Sequence, residues 1–421
     1  MNYDYNNILL LTGTVRADAS SRYSKDNRWG IFPAAALAWK ISNMNFFEGA
    51  RKVVNDLKLR LGWGITGQQA VGGYYPAIAV YTISHKPGLY PSPSGDGTWI
   101  EPLYPNGYNE KLKWESTTTY NAGLDFGLLN NRITGSIDYY FRETTDLLAY
   151  TPVAGFSTTN YLDQNIGNLR NYGIEGIINA NIIDNRDFKW TTGVNVAWNR
   201  NYIHELTAVT TEIPAAGTPS GIGQNLQSHI VGQPAFTFRV YQQVYDANGN
   251  PIPGQYVDQN ADGKIDEKDL INYHSRDPKI TASWNNTFSF RNWDLGISLR
   301  ANFGNYVYNG PKYDRTGIDR VDSYGLNNLL NDTYLFSSTD AGLLISDYFV
   351  ENASFVRCDN ITLGYTWPKL FDSMRLRVFG AVQNPFVITK YTGLDPEVFS
   401  GIDSNVYPRP ITFSLGLVAN F

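Results

Sequence analysis

The chain ends on the segment Pro410-Ile-Thr-Phe-Ser-Leu-Gly-Leu-Val-Ala-Asn-Phe421. Apolar residues recur at every second position from Ile411, and the positions between them are small or polar except at Val418. Because side chains alternate along a strand, this pattern predicts one apolar and one polar face. A strand of about ten residues that finishes on an aromatic residue is typical of the last strand of an outer-membrane barrel. The edge of a soluble β-sandwich alternates in the same way, so the rest of the chain has to distinguish the two.

The composition favours an all-β protein. Charged residues make up only 17% of the chain, whereas soluble proteins contain about 25%. Aromatic residues reach 14%, with 29 Tyr and 10 Trp, which suits many strands and aromatic belts, although a secreted all-β protein would share these features. No run approaches the roughly 18 apolar residues of a transmembrane helix. A single cysteine, Cys358, excludes an internal disulfide framework, and a net charge of −5 without a basic cluster argues against nucleic-acid binding.

Short turns alternate with long connections along the chain. The predicted short turns are Leu129–Asn131, Asp184–Asp187, Arg291-Asn292 and Pro368–Asp372. The long connections are residues 149–165, 203–221, 246–278, 307–353 and 385–409, and residues 46–55 predict a short amphipathic helix. Short turns on one side and long loops on the other are typical of an outer-membrane barrel, and a sandwich has no reason to keep this asymmetry. The sequence therefore predicts a transmembrane antiparallel β-barrel with periplasmic turns and extracellular loops.

Alternation of strand direction gives about fourteen strands. The last strand of such a barrel runs toward the periplasm, so Phe188–Tyr202 runs outward and Lys279–Phe290 runs inward. Two further wall strands, Gln224–Val231 and Ala235–Tyr245, are predicted between them to preserve the alternation. The first strand, Tyr3–Arg16, then runs outward.

The most specific local signal is Asp258-Gln-Asn-Ala-Asp-Gly-Lys-Ile-Asp-Glu-Lys-Asp269, hereafter the acidic loop, within the predicted extracellular loop 246–278. Oxygen donors stand at positions 1, 3, 5, 7, 9 and 12 of an EF-hand-like calcium loop, namely Asp258, Asn260, Asp262, the Lys264 carbonyl, Asp266 and Asp269. Gly263 stands at position 6, where such a loop turns sharply. Because position 12 is Asp rather than a bidentate Glu, we expect one structural Ca²⁺ site of modest affinity and not a switch. The alternative is an acidic turn without metal.

No constellation predicts an enzyme. The four histidines, His85, His204, His229 and His274, lack ligand spacing, and no Gly-x-Ser-x-Gly elbow occurs. Acidic pairs are abundant, but no spacing singles out a glycosidase pair. We therefore expect neither catalytic nor organic-cofactor-binding residues.

Several segments together resemble the SusC/RagA family of TonB-dependent outer-membrane transporters. In chain order they are Ser21–Pro33 with Ala38–Ser42, Leu57–Gln68, Leu112–Glu115 with Tyr120–Gly127, Asn165–Asn168 with Tyr172–Glu175, the acidic loop, Phe355–Arg357 with Ile361–Tyr365, Gln383–Pro385 and Gly393–Glu397. Each segment is short. Their order and spacing over nearly the whole chain make the resemblance specific.

The resemblance implies a barrel of about 22 strands closed by an N-terminal plug, with a SusD-like surface lipoprotein as its lid and TonB as its energy source. Met1-Asn-Tyr-Asp-Tyr5 shows no signal peptide, and no plug or TonB box is present. We therefore expect residues 1–421 to be a partial barrel of about 14 C-terminal strands, so that TonB acts only through the missing N-terminal region.

The implied function is import of glycan or oligopeptide fragments across the outer membrane of a Gram-negative bacterium, with the wall facing outer-membrane lipid. Two alternatives stay open at this point. One is a TonB-dependent siderophore or metal-chelate receptor, and the other is an outer-membrane adhesin without transport activity. The sequence does not identify the substrate.

Overall fold

The computed structural model describes residues 1–70, 75–83, 90–101, 103–153, 161–207, 210–217, 225–316, 345–370 and 374–420. Across these ranges one antiparallel sheet of thirteen strands, hereafter the wall, dominates the fold. Each strand pairs with its neighbours in chain order. The wall strands β1 to β13 are Asn2–Tyr5, Leu9–Ala19, Trp29–Lys40, Val54–Gln68, Glu115–Leu128, Ile133–Thr145, Asn168–Asp184, Phe188–Glu205, Ile280–Phe290, Trp293–Phe303, Phe355–Leu370, Met374–Thr389 and Thr412–Asn420.

Tight turns join the strands at one end of the wall, the turn end. Leu129, Asn130 and Asn131 between β5 and β6 have φ of 53°, 58° and 59°, a left-handed conformation that Asn tolerates best. Arg291 between β9 and β10 has φ of 53°. These turns and the one between β7 and β8 confirm the sequence prediction. The predicted turn at 368–372 lies partly outside the described residues.

The lipid-facing side of the wall can be followed from strand to strand, because directly opposed residues share a face. On β13, Phe413 and Leu415 are 77% and 82% exposed, and Phe413 opposes Val382, which in turn opposes Ile361. One row of opposed residues on this outward face crosses ten strands and is apolar throughout, namely Tyr3, Leu11, Leu37, Leu61, Ala122, Tyr139, Ile174, Trp198, Ile280 and Phe303. The predicted alternation is confirmed.

Aromatic residues mark both ends of the outward face. Trp29 and Trp39 lie on this face near the two ends of β3, about 33 Å apart along the strand at roughly 3.3 Å per residue. With strand tilt this spans the apolar band of about 25 Å that an outer-membrane barrel presents to lipid. At the turn end the rings of Trp293 and Tyr365 lie 4.8 Å apart, and those of Tyr365 and Trp367 lie 4.6 Å apart.

Two predicted wall strands are not in the wall. Residues 225–241 contribute Asn225–Ile230 and Thr237–Tyr241 to a separate four-stranded sheet, together with Glu212–Gly217 and Leu270–Ser275. Strand β8 pairs directly with β9. The alternation of strand direction requires an even number of wall strands between β8 and β9. Zero strands meet this requirement just as two strands would. The loss of these two strands, together with the division of the first predicted strand into β1 and β2, corrects the prediction of about fourteen strands to thirteen in the described residues.

The first predicted strand also divides in two. Asn6 and Asn7, both with φ of 53°, make a turn between β1 and β2. Strand β1 therefore runs toward the turn end, opposite to the predicted direction, and Met1 lies beside Gly13, partway along β2. The predicted helix at 46–55 is replaced by three single 3-10 turns, Ile41–Asn43, Asn45–Phe47 and Ala50–Lys52.

The long connections at the opposite end, the loop end, pack on one another. Their main apolar core contains Leu226, Phe238, Val240, Tyr308 and Phe349, all buried. The remaining elements are the strands Tyr81–Ile83, Tyr90–Pro91, Trp99–Ile100, Leu103–Pro105, Leu148–Pro152, Tyr161–Asn165, Gln243–Tyr245, Pro251–Tyr256, Tyr306–Asn309, Val350–Asn352 and Ile402–Asp403, the 3-10 turns Glu267–Asp269 and Asp347–Phe349, and the α-helix Gly310–Thr316. No helix in the described part of the chain is long and apolar enough to cross a membrane.

Charged residues of the wall pair across its inner, lumen-facing side. Arg60 on β4 donates to Asp125 at 2.7 Å and reaches over Gly123 to Asp138 at 2.9 Å, while Lys58 contacts Asp125 at 2.6 Å. A Cβ on Gly123 would lie 2.3 Å from the Asp138 carboxylate and 2.7 Å from the Arg60 guanidinium. The glycine therefore keeps a path open for the longer ion pair.

We expect Asp125→Asn to lower the free energy of unfolding by about 1–2 kcal/mol, because it removes the carboxylate that both Lys58 and Arg60 contact and because partial solvent access weakens each pair. Asp18→Asn is the matched control, since its partner Arg16 is 77% exposed. Denaturant unfolding of the detergent-solubilised protein measures both. Equal losses in the two variants would contradict the role given to the lumen-facing network.

Candidate functional site

The acidic loop lies at the loop end, in the connection between β8 and β9. It begins after the strand Pro251–Tyr256 and ends in the 3-10 turn Glu267–Asp269. Ala261 and Gly263 have φ of 59° and 80°, so the chain turns sharply where a calcium loop requires it. The backbone thus follows the course that the spacing predicts.

Asp258 has one oxygen engaged and one oxygen free. Its Oδ2 accepts a hydrogen bond from the Gly263 N–H at 2.8 Å. Its Oδ1 is buried and has no partner among the described protein atoms. Because a buried acceptor without a partner costs free energy, this oxygen fits a cation ligand.

The other predicted side-chain ligands make hydrogen bonds within the loop. Asn260 and Asp262 bond to each other, and Asp262 also accepts from the Lys264 N–H at 2.9 Å. Asp266 caps the 3-10 turn by accepting from the Lys268 N–H at 2.9 Å. Within the described ranges, no three His, Cys, Asp or Glu side chains are grouped to hold a metal ion. The fit of the loop to calcium is therefore partial, and Asp258 is its strongest element.

Asp269 closes the loop as a buried carboxylate. It accepts from the Asp266 N–H and the Gln259 N–H, both at 2.8 Å. These donors, the Asp266 N–H first, hold the pKa of Asp269 below its usual range. The carboxylate is consequently ionised at neutral pH and adds negative charge beside Asp258.

A second charged cluster at the loop end was missed by the sequence analysis. Arg300 on β10 and Arg357 on β11 stand directly opposite each other, an arrangement that is destabilising unless anions balance it. The balance comes from the connection between β12 and β13. Glu397 accepts two hydrogen bonds from Arg300, at 2.5 and 2.8 Å, and Asp395 accepts one from the buried Arg357 at 2.6 Å.

The cluster attaches this connection to the inner side of the wall. Arg409 adds a contact of 3.2 Å to Asp395 and one of 2.8 Å to Glu397, and Arg300 also contacts Asp359. The signals in the sequence were the segments Phe355–Arg357 and Gly393–Glu397, which contributed to the family resemblance without an assigned role. The pairing of the second segment with two distant strands depends on the wall register, which the sequence does not specify.

Further contacts join the long connections to one another in a layer at the loop end. The backbone carbonyl of Ser400 accepts from Gln227 at 3.1 Å and from Arg276 at 3.3 Å. Tyr391 donates to Asp403 at 2.7 Å, and burial together with this carboxylate raises the pKa of Tyr391. The side chain of Phe399 projects from this layer and is 93% exposed. Such a surface can contact a solute or a covering protein.

Comparison with known proteins identifies the family to which the chain belongs. The family model described as TonB dependent receptor-like, beta-barrel matches residues 1–384. The TonB-dependent receptor SusC of Bacteroides thetaiotaomicron is 45% identical over 100% of this chain and 43% of its own length. The TonB-dependent receptor P3 of Formosa agariphila is 28% identical over 100% of this chain and 45% of its own length. The chain thus spans less than half the length of these relatives.

A solved structure of the RagAB peptide transporter superposes with a TM-score of 0.81 at 24% identity, covering 100% of this chain and 47% of its own chain. At that identity the likeness shows the fold. Together with the family model and the similarity to SusC, it agrees with the apolar outward face, the tight turns and the long loops of the wall. The chain therefore belongs to the SusC/RagA group of the TonB-dependent receptor family, whose members are outer-membrane β-barrels.

Proposed function

We propose that the chain forms the wall and outer loops of an importer that carries glycan or oligopeptide fragments across the outer membrane. The observation that carries this proposal is the 45% identity to SusC over the whole chain. The described fold also superposes on a structure named as a peptide transporter. In the proposed assembly a SusD-like lipoprotein covers the loop end, and TonB energises the complex through a region outside this chain.

The inner side of β8 and β9 supports passage of a polar, uncharged solute. Above Lys189, which pairs with Asp184 at the turn end of β8, the inner residues carry amides, hydroxyls or small side chains and no charge. They are Thr191, Gly193, Asn195, Ala197 and Asn199 on β8 and Thr281, Ser283, Asn285 and Thr287 on β9. Near the turn end a polar cavity of about 240 Å³ is lined mainly by amides and hydroxyls, among them Asn195, Asn285 and Thr287, with Arg132 as a charged residue of the lining. Amides and hydroxyls exchange hydrogen bonds with sugars or peptides without the cost of desolvating a charge.

Cells that carry the full-length protein are expected to take up labelled neutral oligosaccharides or oligopeptides, and a protonophore is expected to abolish the uptake. Asn285→Phe fills the polar cavity and should reduce uptake severalfold, because the solute then meets a bulky apolar group on its path. Rates are measured with labelled hexamers of a neutral glucan and of glycine.

Trp284→Phe is the matched control, because Trp284 adjoins Asn285 but lies on the outward face. It should leave uptake unchanged when outer-membrane abundance is equal. Uptake of ferric chelates in place of both hexamers would support the siderophore-receptor alternative and contradict the proposal.

We also propose that the acidic loop binds one structural Ca²⁺. The ligands would be Asp258, Asn260, Asp262, the Lys264 carbonyl, Asp266 and Asp269, with Asp266 and Asp262 turning inward from their present backbone contacts. Support comes from the residue spacing, from the sharp turn at Gly263 and from the free, buried oxygen of Asp258. The ion would stabilise the loop end and take no part in transport chemistry.

Removing calcium with a chelator is expected to lower the melting temperature of the protein. At free Ca²⁺ a hundredfold above Kd, linkage contributes about 2.7 kcal/mol. Asp258→Asn should abolish this calcium-dependent shift, since the charge on the free oxygen is lost. Asp246→Asn is the control, because Asp246 accepts from Asn248 and Asn250 in a turn outside the acidic loop. A shift that persists in Asp258→Asn would exclude the loop as the calcium site.

A further inference from the structure

One connection at the turn end differs from the others. The described connections β1–β2, β5–β6, β7–β8 and β9–β10 are tight turns, whereas residues 41–53 between β3 and β4 contain three 3-10 turns. The segment, hereafter the interfacial segment, exposes 69% of Phe46 and 56% of Val53. A wall that needed only to reverse direction would not require it, so these exposed apolar groups call for another explanation.

The interfacial segment borders an apolar groove on the wall. The groove has a volume of about 320 Å³ and is lined by Leu9, Leu37, Trp39, Leu59 and Leu61 of the wall and by Met44 of the segment. A volume above about 300 Å³ is within the range of ligand pockets. The lining offers almost no polar atoms, which excludes a sugar or a peptide backbone as the occupant.

The groove opens toward the bilayer and not toward the lumen. Leu9 opposes Trp39 and Trp39 opposes Leu59, while Leu37 opposes Leu61. Leu37 and Leu61 belong to the apolar row that follows the outward face across ten strands. The groove is therefore continuous with the surface that the wall presents to lipid, at the turn end, which lies on the periplasmic side.

A cation stands at the border of the groove. The Arg51 guanidinium donates to the backbone carbonyl of Ser42 at 2.7 Å and to that of Met44 at 3.3 Å. These two bonds fix the Arg51 side chain beside Met44, which lines the groove. The next residue, Lys52, is exposed. An apolar groove bordered by the fixed cation Arg51, with the exposed cation Lys52 at the next position of the chain, complements a molecule with an acyl chain and a phosphate.

We propose that this groove binds one phospholipid of the periplasmic leaflet. One acyl chain lies along Leu37, Trp39 and Leu59, and the phosphate contacts Arg51 and Lys52. Phe46 enters the interface beside the headgroup, as amphipathic interfacial residues do. The bound lipid fixes the interfacial segment against the wall. This role is independent of which solute the barrel carries.

The test is native mass spectrometry of the protein extracted from outer membranes in mild detergent and then delipidated stepwise. The unmodified protein should retain one phospholipid after the other lipids are removed. Leu59→Trp fills the groove and should release that lipid at an earlier step. Leu363→Trp is the matched control, because Leu363 lies on the outward face of β11 away from the groove.

A second variant tests the headgroup contact without altering the groove. Arg51→Gln should lower the retained fraction severalfold for phosphatidylglycerol added back to delipidated protein, whereas Arg142→Gln, on the lumen-facing side, should not. Loss of every phospholipid from the unmodified protein would overturn the proposal. Equal retention in Leu59→Trp and Leu363→Trp would overturn it as well, and equal retention in Arg51→Gln and Arg142→Gln would overturn the headgroup contact.

Discussion

The backbone hydrogen bonds of the wall are the constraint on which the other features depend. A bilayer offers no water to a peptide N–H or C=O group, so each group must bond to a neighbouring strand. Antiparallel pairing in chain order meets this condition between neighbouring strands of the wall, whereas the outer edges of β1 and β13 have no partner strand among the described residues. Pairing in turn fixes the register, and the register decides which side chains meet lipid and which meet the lumen. An apolar row across ten strands follows directly from that register.

The same register determines where charge can be placed. Arg60, Asp125 and Asp138 lie on three neighbouring strands and bond across the lumen-facing side. Arg300 and Arg357 oppose each other. They are balanced by Asp359 on β11 and by Asp395 and Glu397 of the last long connection. The wall therefore organises the layer at the loop end through contacts that begin on the strands.

Local patterns predicted most of the wall strands correctly but did not predict the layer at the loop end. Asn130 and Asn131 predicted their turn correctly, because a left-handed backbone conformation favours Asn. The alternation of residues 411–419 predicted which side of the strand faces lipid. Residues 225–230 and 237–241 also look like strands, yet most of their side chains are buried in the core of the long connections. The alternation of apolar and polar residues does not show whether a strand belongs to the wall, because a long connection can form a separate sheet.

In the candidate site, too, the sequence predicted the local feature and missed the one formed by distant segments. Spacing alone identified the acidic loop, since its ligands lie within one short segment. The arginine cluster joins residues from β10, β11 and the last connection, so it becomes visible only when the strands are paired. The free oxygen of Asp258 likewise depends on the folded loop, in which Gly263 engages the other oxygen.

The central claim is that register alone separates the lipid face from the lumen face, and thiol accessibility on β9 tests it most directly. Single cysteines are placed at Ser283 and Trp284 in a Cys358→Ser background, and intact outer membranes are treated with a water-soluble maleimide. Ser283 faces the lumen and Trp284 faces lipid, so Ser283→Cys should react and Trp284→Cys should not. Rapid labelling of Trp284→Cys with protection of Ser283→Cys would contradict the account.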